Sequence, residues 1–131
     1  MTDDNKGLQS PDPDYGPREV VEIQIEALRS NDEPSEDSGI ESAFNFASQN
    51  NKRATGPISR FKKMVHNKRY SKLLNHDTAD SKDFKLNGDE ATQILLVEKN
   101  GKERLYEFGL EKQKKGPNEG CWMTNSVLLV D

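Results

Sequence analysis

No feature of this chain restricts its fold as tightly as the pair Asn100-Gly101, which stands between two β-prone runs. A two-residue type I′ turn needs positive φ at both central positions; Asn tolerates that conformation and Gly adopts it without steric cost. The pair therefore predicts a hairpin, with strands over Glu90–Glu98 and Lys102–Lys112. Alternation supports the second strand, because Tyr106, Phe108 and Leu110 fall on one face and Glu107 and Glu111 on the other. In the first strand Ile94-Leu95-Leu96-Val97 is apolar on both faces, the pattern of a central, doubly covered strand. A loop of turn residues from Lys114 to Gly120 leads to a third strand over Gly120–Val130. There Trp122 and Thr124 share one face, with Cys121, Met123 and Val127 on the other. A three-stranded meander with an apolar face needs a covering layer.

The first half of the chain supplies one. Pro17 suits a first helical position, and the helix is expected to run to about Ser30, with Val20, Val21, Ile23, Ala27 and Leu28 as its apolar stripe. Gln24 falls in the middle of that stripe, where an amide left without partners costs about 1–3 kcal/mol. Ser38 and Glu41 match a capping box ahead of a second helix that carries Ile40, Ala43, Phe44 and Ala47. Asn50–Gly56 reads as polar loop. Thr55-Gly56-Pro57 then opens a third helix, with Ile58, Phe61 and Val65 inward, Met64 at the edge, and Lys62, Lys63 and His66 outward. Tyr70, Leu73 and Leu74 are apolar enough to pack, and Asn75–Phe84 is expected to add an irregular strand before a turn at Asn87-Gly88-Asp89. The fold class is thus α+β: three N-terminal helices on one face of a curved antiparallel sheet. Residues 1–16, polar and acidic, read as a disordered lead-in to a single domain over 17–131.

Composition narrows the partners. With 19 Lys and Arg against 23 Asp and Glu, the net charge is −4, which argues against nucleic acid as the main partner. The single cysteine, Cys121, excludes an intrachain disulfide and fits a reducing compartment. No apolar run is long enough to span a membrane, and the acidic N-terminus lacks the features of a signal peptide, so a cytoplasmic protein is expected.

In these residues the chain resembles the domain of unknown function family numbered 4864. The resemblance lies in Val20-Val21, Gln24 and Ala27-Leu28, then Gly39-Ile40, Ala43-Phe44 and Phe46-Ala47-Ser48. It continues through Thr55-Gly56-Pro57, Phe61, Met64-Val65 and Gln93 to Gly120-Cys121-Trp122-Met123-Thr124 and Val127. It covers roughly Pro17 to Leu129, with the segment between Ser71 and Lys85 matching least well. It implies the cone of the nuclear transport factor 2-like superfamily, whose members range from isomerases and dehydratases to dimerisation modules, so fold does not fix function.

In such a cone a pocket opens between sheet and helices, and Gln24, Phe61, His76, Tyr106 and Trp122 are the candidate lining residues. Gln24 is either a buried amide pinning helix to sheet or a polar contact for a ligand. His76-Asp77 is the only adjacent imidazole–carboxylate pair, but neighbours on a strand point to opposite faces, and a hydrogen-bonded rim residue is the blander reading of His76. His66, among Lys62, Lys63, Lys68 and Arg69, reads as solvated. Cys121 lacks a sequence cue for a lowered pKa and reads as a structural thiol, while Trp122 and Tyr106 are pocket wall or core. Two distant histidines and one cysteine give no zinc spacing, and there is no calcium loop, Gly-rich phosphate loop or nucleophile elbow, so no metal, cofactor or catalytic set is implied. The expectation is a non-catalytic domain that binds a small ligand or a protein partner, with homodimerisation through the sheet face carrying Met123, Val127 and Leu129. The alternative is an isomerase, dehydratase or hydrolase using a carboxylate or His76 as base, with Tyr106 or Gln24 as donor.

Overall fold

A computed structural model of the chain describes residues 8–130. Within them the order is α1 (Pro17–Arg29), α2 (Ser38–Asn45), α3 (Gln49–Thr55), α4 (Ile58–Val65), a 3₁₀ turn (Ser71–Leu73), then β1 (Thr78–Asn87), β2 (Glu90–Lys99), β3 (Lys102–Lys112) and β4 (Trp122–Leu129). The strands form one antiparallel sheet in the order β1-β2-β3-β4, so the class is α+β with helices first and a meander after. Residues 1–7 of the expected lead-in, and the final residue of the expected domain at 131, lie outside the described residues. In the rest of the lead-in the Gln9 amide donates to Ser42 Oγ (3.0 Å), Asn45 donates to the Gln9 carbonyl (2.8 Å), and Tyr15 packs half-buried against the core.

The hairpin forms as its turn demands. Asn100 and Gly101 have φ of 53° and 79°, and Lys99 pairs with Lys102 across them. The irregular segment resolves into β1, a full edge strand paired with β2 from Thr78↔Glu98 to Asn87↔Glu90, with a bulge between Ser81 and Asp83. That bulge and the exposed charges Asp80, Lys82, Asp83 and Lys85 blunt the free edge against pairing with other chains. The opposite edge is covered. Thr124 on β4 donates to the Phe46 carbonyl (2.7 Å) and accepts from the Ser48 amide (2.9 Å), so the α2–α3 link lies along β4.

One apolar layer fills the space between helices and sheet. Ile40, Phe46, Val20, Val21, Val97, Tyr106 and Phe108 are each at most 1% exposed, and each such side chain contributes about 1.5–3 kcal/mol by leaving water. In α1 the buried residues are Val20, Val21, Gln24, Ile25 and Leu28, so the stripe turns on Gln24 and Ile25 while Ile23 and Ala27 sit at its edge.

Four expectations need correction. First, there are four α-helices among the described residues, not three, because Gln49–Thr55 is helical where a polar loop was expected. That helix buries none of its residues, so it has no apolar stripe to announce it; it starts because Ser48 Oγ accepts from the Asn51 amide (3.2 Å). Second, the Ser38–Glu41 capping box does not form. Ser38 is already inside α2 and donates to the Glu33 and Ser35 carbonyls, Glu41 pairs with Lys62, and Asn31 caps the helix by accepting from the Ile40 amide (2.9 Å). Third, β2 is central but covered by helices on one face alone: Ala91, Gln93, Leu95 and Val97 are buried, while Ile94 and Leu96 are only partly so. Fourth, Val127 does not share a face with Met123. A bulge places Leu110 opposite Thr124 and Gly109 opposite Ser126, so Asn125 is an extra residue. Each inserted residue reverses the facing of those that follow. Val127 and Leu129 therefore turn toward the core, opposite Phe108 and Tyr106, and Met123 is buried, which removes the apolar face invoked for dimerisation.

Candidate functional site

A cavity of about 220 Å³ lies between the sheet and the helices. Each element contributes to it for a reason traceable to its own sequence. The inner face of the sheet provides Phe108, Thr124 and, through the bulge, Val127; α1 provides Gln24 and Leu28 from its buried stripe. Ala43 and Ala47 provide small surfaces near the end of α2, and Phe61, Met64 and Val65 form the inner side of α4. Asn51, Ala54 and Thr55 on α3 and Tyr70 beside the 3₁₀ turn complete the rim.

Several polar groups at the cavity are tied to the elements around it, while Asn125 Oδ1 is buried without a hydrogen-bond partner. Gln24 Nε2 donates to Thr124 Oγ1 (2.7 Å) and, more weakly, to the Val20 carbonyl (3.3 Å). The amide thus pins α1 to β4 at the wall of the cavity. Asn51 Nδ2 donates to the Thr124 carbonyl (3.1 Å), Thr55 Oγ1 to the Asn51 carbonyl (3.0 Å), and Tyr70 Oη to the Val127 carbonyl (2.9 Å). Among the described residues that line the cavity there is no Asp, Glu, His, Lys, Arg or Cys. Its wall is apolar, with a short neutral polar seam.

Of the five candidates, Gln24 and Phe61 meet at this cavity, while His76, Tyr106 and Trp122 do not line it. Tyr106 is fully buried, donates to the Arg69 carbonyl (2.7 Å) and stacks on Tyr70 with ring centroids 6.3 Å apart. Trp122 is buried near the start of β4. His76 is buried ahead of β1, its Nδ1 2.8 Å from the Leu73 carbonyl; because a carbonyl only accepts, Nδ1 carries the proton of the neutral ring. Burial holds its pKa below the ordinary histidine value, against the opposing pull of that hydrogen bond. Asp77 is exposed and accepts from the Asn100 amide (2.9 Å), bracing the hairpin turn.

The remaining titratable groups lie elsewhere. Burial pushes the Cys121 thiol up, with the charge of Asp12 adding to it, so the thiolate is disfavoured. His66 is exposed and bonded to Asp37 Oδ1 at 3.0 Å. Burial alone would raise the Asp37 carboxyl, but bonds from Asn31 and His66 with the charges of His66 and Lys62 hold it below its ordinary value. No group of three His, Cys, Asp or Glu among the described residues could hold a metal ion, and none of the described helices is long and apolar enough to cross a membrane.

A second depression, of about 550 Å³, is open to solvent between α1, α2 and the segment before α1, and its walls include Glu22, Glu26 and Glu33. It has little enclosed apolar surface with which to hold a small molecule.

Asn51, Thr55 and Ala54 were missed as cavity residues because α3 was read as loop. The N-cap serine Ser48 was the available signal for that helix. Gln24 was found because a lone amide in an apolar stripe is unusual.

The family model described as Domain of unknown function (DUF4864) matches residues 13–131, and the chain belongs to that family. No curated protein and no solved structure matches the chain.

Proposed function

We propose that this member of the DUF4864 family is a non-catalytic, cytoplasmic binding domain that holds a small, mostly apolar molecule in the cavity between its helices and its sheet. We further assign it to the cone of the nuclear transport factor 2-like superfamily. The order of elements supports that assignment: helices first, then an antiparallel meander bent by two bulges around the helical layer.

The observation that carries the binding reading is the chemistry of the cavity wall. A largely apolar volume, partly open to solvent, fitted with Gln24, Thr124 and Asn51 and with no carboxylate, imidazole, amine or thiol in its wall, suits binding and orientation better than proton transfer near neutral pH. The enzyme alternative relied on His76 or a carboxylate as base. His76 is bonded to Leu73 and Asp77 to Asn100, and neither lines the cavity.

Size sets the ligand class. A dry cavity of about 150 Å³ accommodates benzene, so this one takes a molecule of about nine non-hydrogen atoms, such as a bicyclic aromatic. Indole is a suitable probe. It is expected to bind with a dissociation constant of about 10–1,000 µM and to shift the NMR signals of Met64 and Val127. Ala54→Trp, an exposed position at the rim, is expected to abolish those shifts in a chain that stays folded. Indole shifts that persist in Ala54→Trp, or their absence at millimolar probe in the unaltered chain, would reject the proposal.

A further inference from the structure

The outer face of the sheet carries a pattern that the cavity does not use. Register sets Leu96 opposite Leu105, and places Ile94, Glu107 and Leu128 in one row across β2, β3 and β4. The helices pack on the other side, where Leu95, Val97, Tyr106 and Phe108 are at most 5% exposed. On this side Ile94, Leu96 and Leu105 are partly exposed, and Leu128 is 51% exposed.

Carboxylates surround the apolar band, and Glu107 stands within it between Ile94 and Leu128. Glu90 stands directly opposite Glu111, and Glu98 directly opposite Glu103. From β1, Asp80 lies beside Leu96 and Asp83 beside Ile94; Lys85, beside Thr92, is the cation in register on this face. Like charges directly across a strand pair destabilise a sheet. Two such pairs bracket one apolar band here, and no carboxylate on this face has an ion-pair partner among the described residues, although Glu111 accepts a hydrogen bond from Asn125. Solvent exposure alone does not account for this layout, since a face meant only for water has no need of the leucines. A cationic partner with an apolar stripe satisfies both halves of it.

We propose that this face docks a cationic amphipathic helix of a partner protein. The helix lays a Leu-like stripe on Ile94, Leu96, Leu105 and Leu128 and directs flanking Lys or Arg to the Glu90–Glu111 and Glu98–Glu103 pairs. The band spans two strand spacings, about 10 Å, which matches the diameter of one helix. A second copy fits poorly, because a twofold contact would bring the two rows of carboxylates together.

The probe is an amphipathic peptide of about eighteen residues with Leu on one face and Lys on the other, long enough for five turns. Its counterpart with Glu in place of Lys is the control. The Lys peptide is expected to shift the amide signals of Ile94, Leu96, Leu105 and Leu128, to bind more weakly as salt rises, and to leave the indole signals of the cavity unmoved. Leu128→Gln is exposed enough to keep the fold, and it and the double change Glu98→Gln with Glu103→Gln are each expected to weaken binding about tenfold or more. The Glu peptide is expected not to bind. Equal binding of the Lys peptide to Leu128→Gln, or shifts that map to other surfaces, would overturn the proposal. So would concentration-dependent sedimentation of the chain alone that Leu128→Gln abolishes, since the occupant would then be a second copy.

Discussion

Gln24 and His76 are both buried polar side chains, 3% and 4% exposed, and their different surroundings give them different work. Gln24 faces the cavity and ties α1 to Thr124, which its place in an apolar stripe announced. His76 is locked to the Leu73 carbonyl, and no apolar period or turn signal around it foretold that it would be enclosed. Its titration follows from that enclosure. Burial lowers its pKa in the folded chain, so the folded state binds fewer protons than the unfolded state once pH drops below the ordinary histidine value. The resulting stability is complete above that value and is lost as pH falls through the window beneath it. Urea unfolding from pH 8 to pH 5 is therefore expected to show a decline in stability that is shallower in His76→Gln. At pH 8 the same variant is expected to be less stable than the unaltered chain by about 1–2 kcal/mol, for the lost bond and packing. Parallel pH profiles for the two proteins would contradict the assignment of His76 as a buried neutral ring.

At the scale of elements, what could be read in advance was whatever period or turn chemistry writes locally. The Asn100-Gly101 hairpin and β3 were legible because positive φ and strict alternation leave few other solutions. Two things were not. Helix α3 carries no apolar stripe, being held by its Ser48 cap and by Asn51, and the bulge at Asn125 has no composition of its own yet reverses every later residue of β4. The crossing of α1 and α2 depends on one further residue. Gly39 donates from its amide to the Asn31 carbonyl (2.8 Å), and a methyl group there would collide with the Ala27 carbonyl oxygen and come within 2.7 Å of Asn31 Cα. Both obstacles are backbone, which cannot swing aside as a side chain can. Gly39→Ala is therefore expected to destabilise the chain by about 2–3 kcal/mol, although Ala is the better helix former, and to raise the unfolded fraction in a thermal melt. A gain in melting temperature would mean that the two helices do not approach this closely.

Over the whole molecule the charge is divided rather than mixed. Eight of the 19 Lys and Arg lie between 52 and 72, where there is no Asp or Glu, and the other 11 stand against 23 acidic residues. The fold keeps this division in space: α3, α4 and the turn after them carry the basic set, while the outer face of the sheet carries the paired glutamates. Of the basic residues, Lys62 is paired with Glu41 and Lys52 lies over the Phe44 ring, but Arg53, Arg60, Lys63, Lys68 and Arg69 are exposed and have no ion pair among the described residues. Net charge, −4, is therefore a poor guide to what this surface attracts, because at short range a partner meets one patch and not the sum. The chain is expected to bind a cation exchanger at pH 7 in low salt despite its net negative charge, and to elute by about 0.2 M salt, where screening confines charge effects to less than 10 Å. The triple change Lys63→Gln, Lys68→Gln and Arg69→Gln is expected to abolish that retention, to leave anion-exchanger binding intact and to leave the melting temperature nearly unchanged, since exposed charges add little to stability. If the unaltered chain flows through the cation exchanger, the basic helices do not act as a patch, and the division of charge in the sequence has no consequence at the surface.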